Sequence, residues 1–344
     1  MRFRVTIPFF RLLVLIALAA AFVDCSRVHP QPQAHKPGEF LHRSGDEIVA
    51  CGQLIHTGAP VVLWMDPGGY DAYRVERRFV PWDDALWEQS HKQVPALQTP
   101  NRYGPRMDSL TDDEFERVRG GGWDLPLLQR TVDQFVLHYD VCGVSKLCFA
   151  ALQDQRGLSV HFMLDLDGTI YQTLDLKERA WHATVSNSRS IGIEIANLGA
   201  YPVGGPNLLG AWYAKDPDGR TRITLPKWIG DGGIRTPDFV GRPIRNDPVI
   251  GEIQGLKMRQ YDLTPQQYDS LIKLTATLCK VFPLIRCDYP RDAAGVLINH
   301  KLPDDQLAAY HGLIGHYHIQ LDKQDPGPAL QWDRIVDGAR ELMK

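Results

Sequence analysis

Near its C-terminus the chain reads Gly315-His316-Tyr317-His318, then Lys323-Gln324-Asp325-Pro326-Gly327-Pro328. An imidazole, an ammonium and a carboxylate thus lie within ten residues before Pro-Gly-Pro stops the segment. Imidazole and carboxylate are zinc ligands, and a catalytic zinc keeps three protein ligands and one open position. A metal held so lowers the pKa of its water to about 7 and polarises a carbonyl. Far upstream, Phe135-Val136-Leu137-His138-Tyr139 reads as a buried strand with a histidine at its end. Between them, Ser190-Ile191-Gly192-Ile193-Glu194-Ile195 places one carboxylate inside an apolar strand.

Each of these residues has a blander reading. A histidine at a strand end is often a satisfied core residue. Glu194 is costly in an apolar strand unless it is paired or used. Burial raises a carboxyl pKa, which suits a general base; the alternative is a salt-bridged glutamate facing solvent. The preceding Gly192 points to a close approach by another group. Lys323 can stabilise an oxyanion, or it is a solvated loop lysine. His318 competes with His316 as a ligand. Two apart on a strand they face opposite ways, so both cannot reach one metal. Trp181-His182-Ala183 pairs an aromatic with an imidazole that could bind substrate, a weak motif on its own.

The elements that would position these groups are legible as patterns. Residues 132–139 read as a central strand. Ser145 starts a helix running to about Gln155. Ser159–Leu166 and Thr169–Leu174 flank Asp167-Gly168, a hairpin turn signal. Thr264-Pro265 starts a helix whose apolar stripe is Tyr268, Leu271, Leu274, Leu278 and Phe282. A last helix follows Pro328, with Trp332, Ile335, Val336, Ala339 and Met343 as its stripe. Strands mixed with helices in this order predict an α/β domain with a mixed central sheet flanked by helices.

With 344 residues, 44% hydrophobic and 23% charged, the composition is that of a globular protein. Net charge is −3 and the pI about 6.5, so no bulk field favours nucleic acid. Arg2, Arg4 and Arg11 precede the apolar run 12–21, which reads as a secretory signal over residues 1–24. Alternatively Cys25 is a lipidated first residue that tethers the protein to a membrane. Either way the protein is expected to be exported, to the periplasm or cell envelope. Residues 25–44 read as a tether, and 45–125 as an irregular N-terminal extension packed on a main domain at 126–344. Residues 199–262 form a long Gly/Pro-rich insertion. It contains Arg220, Arg222, Lys227, Arg235, Arg242 and Arg245, which could pair with substrate carboxylates if the insertion borders the cleft. The six cysteines include no CxxC pair. Cys142 with Cys148, and Cys279 with Cys287, are close enough in sequence to bridge, or all four are free thiols.

Taken together and in order, these motifs resemble a family. They are His138, Val160-His161-Phe162 before an Asp-Gly hairpin, Ala180-Trp181-His182-Ala183, Ser190-Ile191-Gly192-Ile193-Glu194, Gly315-His316 and Lys323-Gln324-Asp325-Pro326-Gly327-Pro328. They look like the zinc N-acetylmuramoyl-L-alanine amidases of the type-2 amidase and peptidoglycan-recognition-protein superfamily. The resemblance implies zinc held by His138, His316 and Asp325, Glu194 and Lys323 as catalytic groups, and peptidoglycan or muropeptides as substrate. The expected substrate contacts are His161, Trp181, His182 and Asn197. Other branches have cysteine as third ligand; the aspartate here resembles the bacterial muropeptide-amidase branch, which uses the glutamate. Members relying on a tyrosine have it where this chain has Val160. The rival from another class is a peptidoglycan-binding module without catalysis, which would lack a third ligand.

Overall fold

The computed structural model describes residues 36–344 except Ser109. The expected signal segment and Cys25 lie outside the described residues. Residues 36–42 belong to an N-terminal unit, in which the Lys36 amide donates to Glu39. Residues 43–344 form a second unit, which carries all of the architecture below. Among the described residues no helix is long and apolar enough to cross a membrane.

The centre is a six-stranded sheet. Its spatial order is Gly312–Gly315, Gln134–Tyr139, Ser190–Ile195, Phe162–Leu164, Ile170–Gln172 and Val61–Leu63. Neighbours run parallel except the hairpin pair Phe162–Leu164 and Ile170–Gln172, so the sheet is mixed. Strands buried on both faces read as continuous apolar runs rather than alternating ones, which is why Phe135-Val136-Leu137 and Ile191-Gly192-Ile193 were recognisable.

Alternation sorts these residues between the two faces. Phe135, Leu137, Ile191, Ile193 and Ile195 share one core cluster with residues of the Pro265–Val281 and Trp332–Met343 helices. The first of these helices has the expected cap: Thr264 accepts from the Gln267 amide while Gln267 reaches back to Thr264. Val136 packs in a different cluster with Leu302, Leu307 and Ile314. His138 and Glu194 have the parity of Val136 and Gly192, so they project from the face away from the two long helices.

Two expectations change. The helix starting at Ser145 is α-helical only to Phe149 and continues as a π-helix over Ala150–Arg156. The stretch 45–125 does not merely pack on the domain. Its Val61–Leu63 segment is an edge strand of the central sheet, and its Tyr103–Pro105 segment pairs with Glu178–Ala180. The 199–262 segment is ordered and carries two hairpins, Tyr213–Lys215 with Thr221–Ile223 and Val249–Ile253 with Leu256–Gln260. Leu209, Trp212 and Tyr213 bury it against Val144, Leu166 and Leu198.

Candidate active site

Register brings the first two groups together. His138 and Glu194 are cross-strand partners, and Gly315 pairs with Leu137. His316 therefore leaves its strand beside His138. It does so in a 3-10 turn, His316–His318, rather than on a strand. The turn parts the two histidines all the same. His318 is buried, accepts from the Gly315 amide at 2.9 Å and donates from Nε2 to the Ile298 carbonyl at 2.7 Å.

Asp325 returns to the same point. The Tyr317 amide donates to its carbonyl at 3.0 Å. The insertion holds this return. Gln260 donates to the Pro326 carbonyl at 3.1 Å and accepts from the Ala329 amide at 3.0 Å. Gln254 donates to the carbonyls of Tyr317 and Gln320 at 2.8 and 2.9 Å. A Cβ on Gly327 would meet the Gln260 side chain at 2.2 Å, so glycine is needed there.

The outcome is a triangle of potential ligand atoms. His138 Nδ1 lies 3.0 Å from His316 Nδ1 and 2.8 Å from Asp325 Oδ2, and His316 Nδ1 lies 3.0 Å from the same oxygen. All three residues are buried. Three such atoms cannot satisfy one another with the protons available, and a cation at their centre would satisfy all of them. Two imidazole nitrogens and a carboxylate oxygen suit zinc. The outer ring nitrogens are also held, as ligating histidines usually are. His316 Nε2 is 2.7 Å from Gln320 Oε1, which requires a proton on Nε2 and leaves Nδ1 with its lone pair. His138 Nε2 is 3.0 Å from His182 Nδ1, and His182 Nε2 is 3.3 Å from Ser190 Oγ. Burial and the neighbouring His316 ring push His138 down to about 4, so it is a neutral donor at neutral pH. Burial opposes charge on Asp325, yet the two imidazoles hold its carboxyl below the usual range.

A cavity of about 480 Å³ opens on this triangle. Glu194, Lys323, Trp181 and His182 line it with the three ligand candidates. Burial, then the charges of Asp325 and Asp140, raise Glu194 well above the ordinary carboxylate value. Its Oε2 is buried without a hydrogen-bond partner among the described residues, as is Trp181 Nε1. A carboxyl with a raised pKa in a cavity wall is a candidate proton carrier. Lys323 is half-buried, its Nζ 3.5 Å from Asp322.

The structure separates the expected substrate contacts. Trp181 and His182 reach the cavity, although His182 also supports His138. His161 does not line it. His161 is fully buried behind His182, with ring centroids 5.9 Å apart. Its Nδ1 accepts from the Gly192 amide at 3.1 Å and its Nε2 donates to the Glu178 carbonyl at 3.0 Å. Asn197 also stays out of the lining. Its amide donates to the Tyr261 carbonyl and accepts from Gly199 and Gln260. The insertion's arginines are absent from the lining as well. Arg242 and Arg222 pair with Asp216, Arg220 with Asp218 and Arg245 with Asp262. Among the described residues Cys142 lies beside Cys148 at the cavity wall and Cys279 beside Cys287, and neither pair is bridged.

Three supporting residues escaped the sequence reading. Arg156 lines the cavity and is exposed. Gln320 orients His316; its position four residues on was the available signal. Arg106 carried no signal at all. It is fully buried, and burial pushes its guanidinium down to about 9. It donates to the carbonyls of Leu176, Asn187, Ser188 and Ser190, tying the loop of Trp181 and His182 to the strand of Glu194.

The sequence model of the N-acetylmuramoyl-L-alanine amidase family matches residues 128–328. No curated protein sequence gives a significant match. Among solved structures, a selenomethionine derivative of AmpD is similar at 18% identity over 71% of this chain and 90% of that one, with a TM-score of 0.32. AmpDh3 from Pseudomonas aeruginosa, solved with anhydromuramic pentapeptide, is similar at 20% identity over 60% of each chain, TM-score 0.33. AmiD from E. coli, solved with anhydro-N-acetylmuramic acid-L-Ala-D-gamma-Glu-L-Lys, is similar at 18% identity over 60% of this chain and 57% of that one, TM-score 0.33.

Proposed function

Since the chain belongs to the N-acetylmuramoyl-L-alanine amidase family, whose sequence model covers more than half of it, we propose that it is a zinc-dependent amidase. Its reaction is hydrolysis of the amide between the lactyl group of N-acetylmuramic acid and L-alanine, in peptidoglycan or its released fragments. The observation that carries this reading is the convergence of His138 Nδ1, His316 Nδ1 and Asp325 Oδ2 beside Glu194 in one cavity.

His138, His316 and Asp325 would hold the ion. Zinc supplies Lewis acidity toward the scissile carbonyl and acidifies water. Glu194 accepts the proton of the attacking water and passes it to the leaving amine of L-alanine. Its burial, which raises its pKa, suits both halves of that transfer. Lys323 compensates the negative charge that grows on the carbonyl oxygen. Trp181 offers an aromatic wall to the substrate. His182 keeps His138 in its tautomer, and Gln320 does the same for His316. Export to the periplasm or cell envelope is part of this proposal, because that is where the substrate lies.

The test is digestion of defined muropeptides followed by mass spectrometry. Release of a free stem peptide beginning with L-alanine is the expected result. Intact muropeptides after incubation of zinc-loaded protein would remove the proposal, and bound but uncleaved substrate would turn it into a binding module.

A further inference from the structure

A second cavity, of about 350 Å³, is lined mostly by residues that precede the family match. Gly69, Asp71, Arg74, Glu76, Arg77, Arg78 and Trp82 line it, with Phe149 and Gln153 from the Ser145–Arg156 helical stretch. Cys148, Ala151 and Leu152 of that stretch line the catalytic cavity instead. Phe149 and Gln153, like Cys148 and Leu152, are four apart and share a face, so adjacent faces of one helical stretch line the two cavities.

The lining has a definite chemistry. Trp82 is 64% exposed, a large apolar ring left at a cavity rim. Arg77 is fixed by neutral partners, Ser90 Oγ at 2.9 Å, the Asp84 carbonyl at 2.7 Å and Gln93 Oε1 at 2.6 Å. Arg74 is paired with Glu76. Arg78 has no ion pair among the described residues, and its guanidinium lies 5.4 Å from the Phe79 ring centroid. Gln153 is 1% exposed and donates to the Arg74 carbonyl at 2.6 Å. Its Oε1 is buried with no partner among the described residues. An aromatic face, two carboxylates, guanidinium donors and an amide are the groups that bind a polyhydroxylated ring: the aromatic takes its C–H face and the others take hydroxyl and acetamido groups. The mixed charge argues against a phosphate, which would call for guanidinium groups without neighbouring carboxylates.

We propose that this cavity is a subsite for an N-acetylated amino sugar of the glycan strand, with Trp82 as its stacking platform. The proposal rests on the reading of peptidoglycan as substrate. With one helical stretch lining both cavities, a glycan strand held here would present its stem peptides toward the catalytic cavity.

The probe is an N-acetylglucosamine tetramer, which contains no scissile muramoyl amide. Titration calorimetry of the full chain should show binding that weakens about tenfold in Trp82→Ala and returns in Trp82→Phe, the scale of one aromatic contact. Binding should persist in His316→Ala, because the catalytic cavity is not the site. Since Trp82 is largely exposed, a melting curve will confirm that Trp82→Ala is folded. The ratio of turnover on intact wall sacculi to turnover on soluble muropeptide should also fall severalfold in Trp82→Ala. No tetramer binding, or equal binding by Trp82→Ala, overturns the subsite whatever the amidase assay shows. Tetramer binding without amidase activity would leave the subsite standing and remove only the catalytic reading.

Discussion

His138 and Glu194 face each other across two adjacent parallel strands, one pair before the strands end at Tyr139 and Ile195. Parallel register thus sets the spacing between a proposed metal ligand and the proposed proton carrier, and neither depends on a loop. Glu194→Gln keeps the shape and removes the base. We expect it to retain zinc and melting temperature but to lose about a hundredfold or more in turnover, the range of a positioned proton carrier. Near-full turnover in that variant would make Glu194 structural. The deprotonated form is the working one and its pKa is raised, so activity should fall with acidification already above the ordinary carboxylate range. That acidic limb should be missing from the residual activity of Glu194→Gln.

Zinc content separates the two neighbouring histidines. Wild-type protein should hold about one zinc per chain. His138→Ala and His316→Ala should each lose most of it and the activity with it. His318→Ala should keep zinc and instead lose thermal stability, because it empties a buried site bonded to Gly315 and Ile298. The opposite pattern in metal analysis would show that the wrong histidine has been assigned.

Gly192 gives a test that touches no charged group. A Cβ there would come within 2.4–2.8 Å of the His182 ring atoms Cε1, Nδ1 and Nε2. Gly192→Ala should displace His182 from His138 and lower activity at least tenfold through lost orientation, as outer-shell changes at metal sites commonly do. Zinc affinity should drop with it. Wild-type activity and zinc affinity in Gly192→Ala would show that the His182 contact does not orient the ligand.

Two buried imidazoles, His161 and His318, should lose their contribution to stability as pH falls below neutrality. Burial, reinforced by the Arg106 charge, pushes His161 from an ordinary value near 6.5 to about 3. Burial does the same to His318, also to about 3. Between those values the unfolded chain binds a proton that the folded chain refuses. The stability these two groups contribute is therefore fully present above about 6.5 and declines as pH falls toward 3, by about 1.4 kcal/mol per pH unit for each group. Raised buried carboxyls such as Glu194 oppose this trend in the whole protein. The measurement is therefore the stability difference between wild type and His318→Gln in urea from pH 7 to pH 4, which should shrink by about 1.4 kcal/mol per pH unit as pH falls. A difference that does not change with pH would contradict the His318 assignment.

Much of the site was readable because it stands on strands and at chain stops. Apolar runs mark strands buried on both faces, and period-two alternation then puts His138 and Glu194 on the same side. Pro-Gly-Pro marks the return that carries Asp325. The two expected substrate contacts that stay out of the cavity, His161 and Asn197, do so for one reason. Whether a polar side chain faces a cavity or is spent on backbone groups depends on partners distant in sequence. His161 is occupied by Gly192 and Glu178, and Asn197 by Tyr261 and Gln260. Arg106 is the extreme case, a cation bonded to carbonyls about 70 to 84 residues away, which no local pattern announces.

The edge strand Val61–Leu63 changes how the protein can be cut. It covers Ile170–Gln172, and the Gln172 amide clasps Val49 from the same region, accepting its N–H at 2.7 Å and donating to its carbonyl at 2.8 Å. A fragment beginning at residue 126 would contain every proposed ligand and yet leave that strand's hydrogen-bonding row open to water. Such bare edges recruit other chains. The shortened protein should accumulate as aggregates at concentrations where the longer chain stays in solution, so the catalytic half is not a separable module.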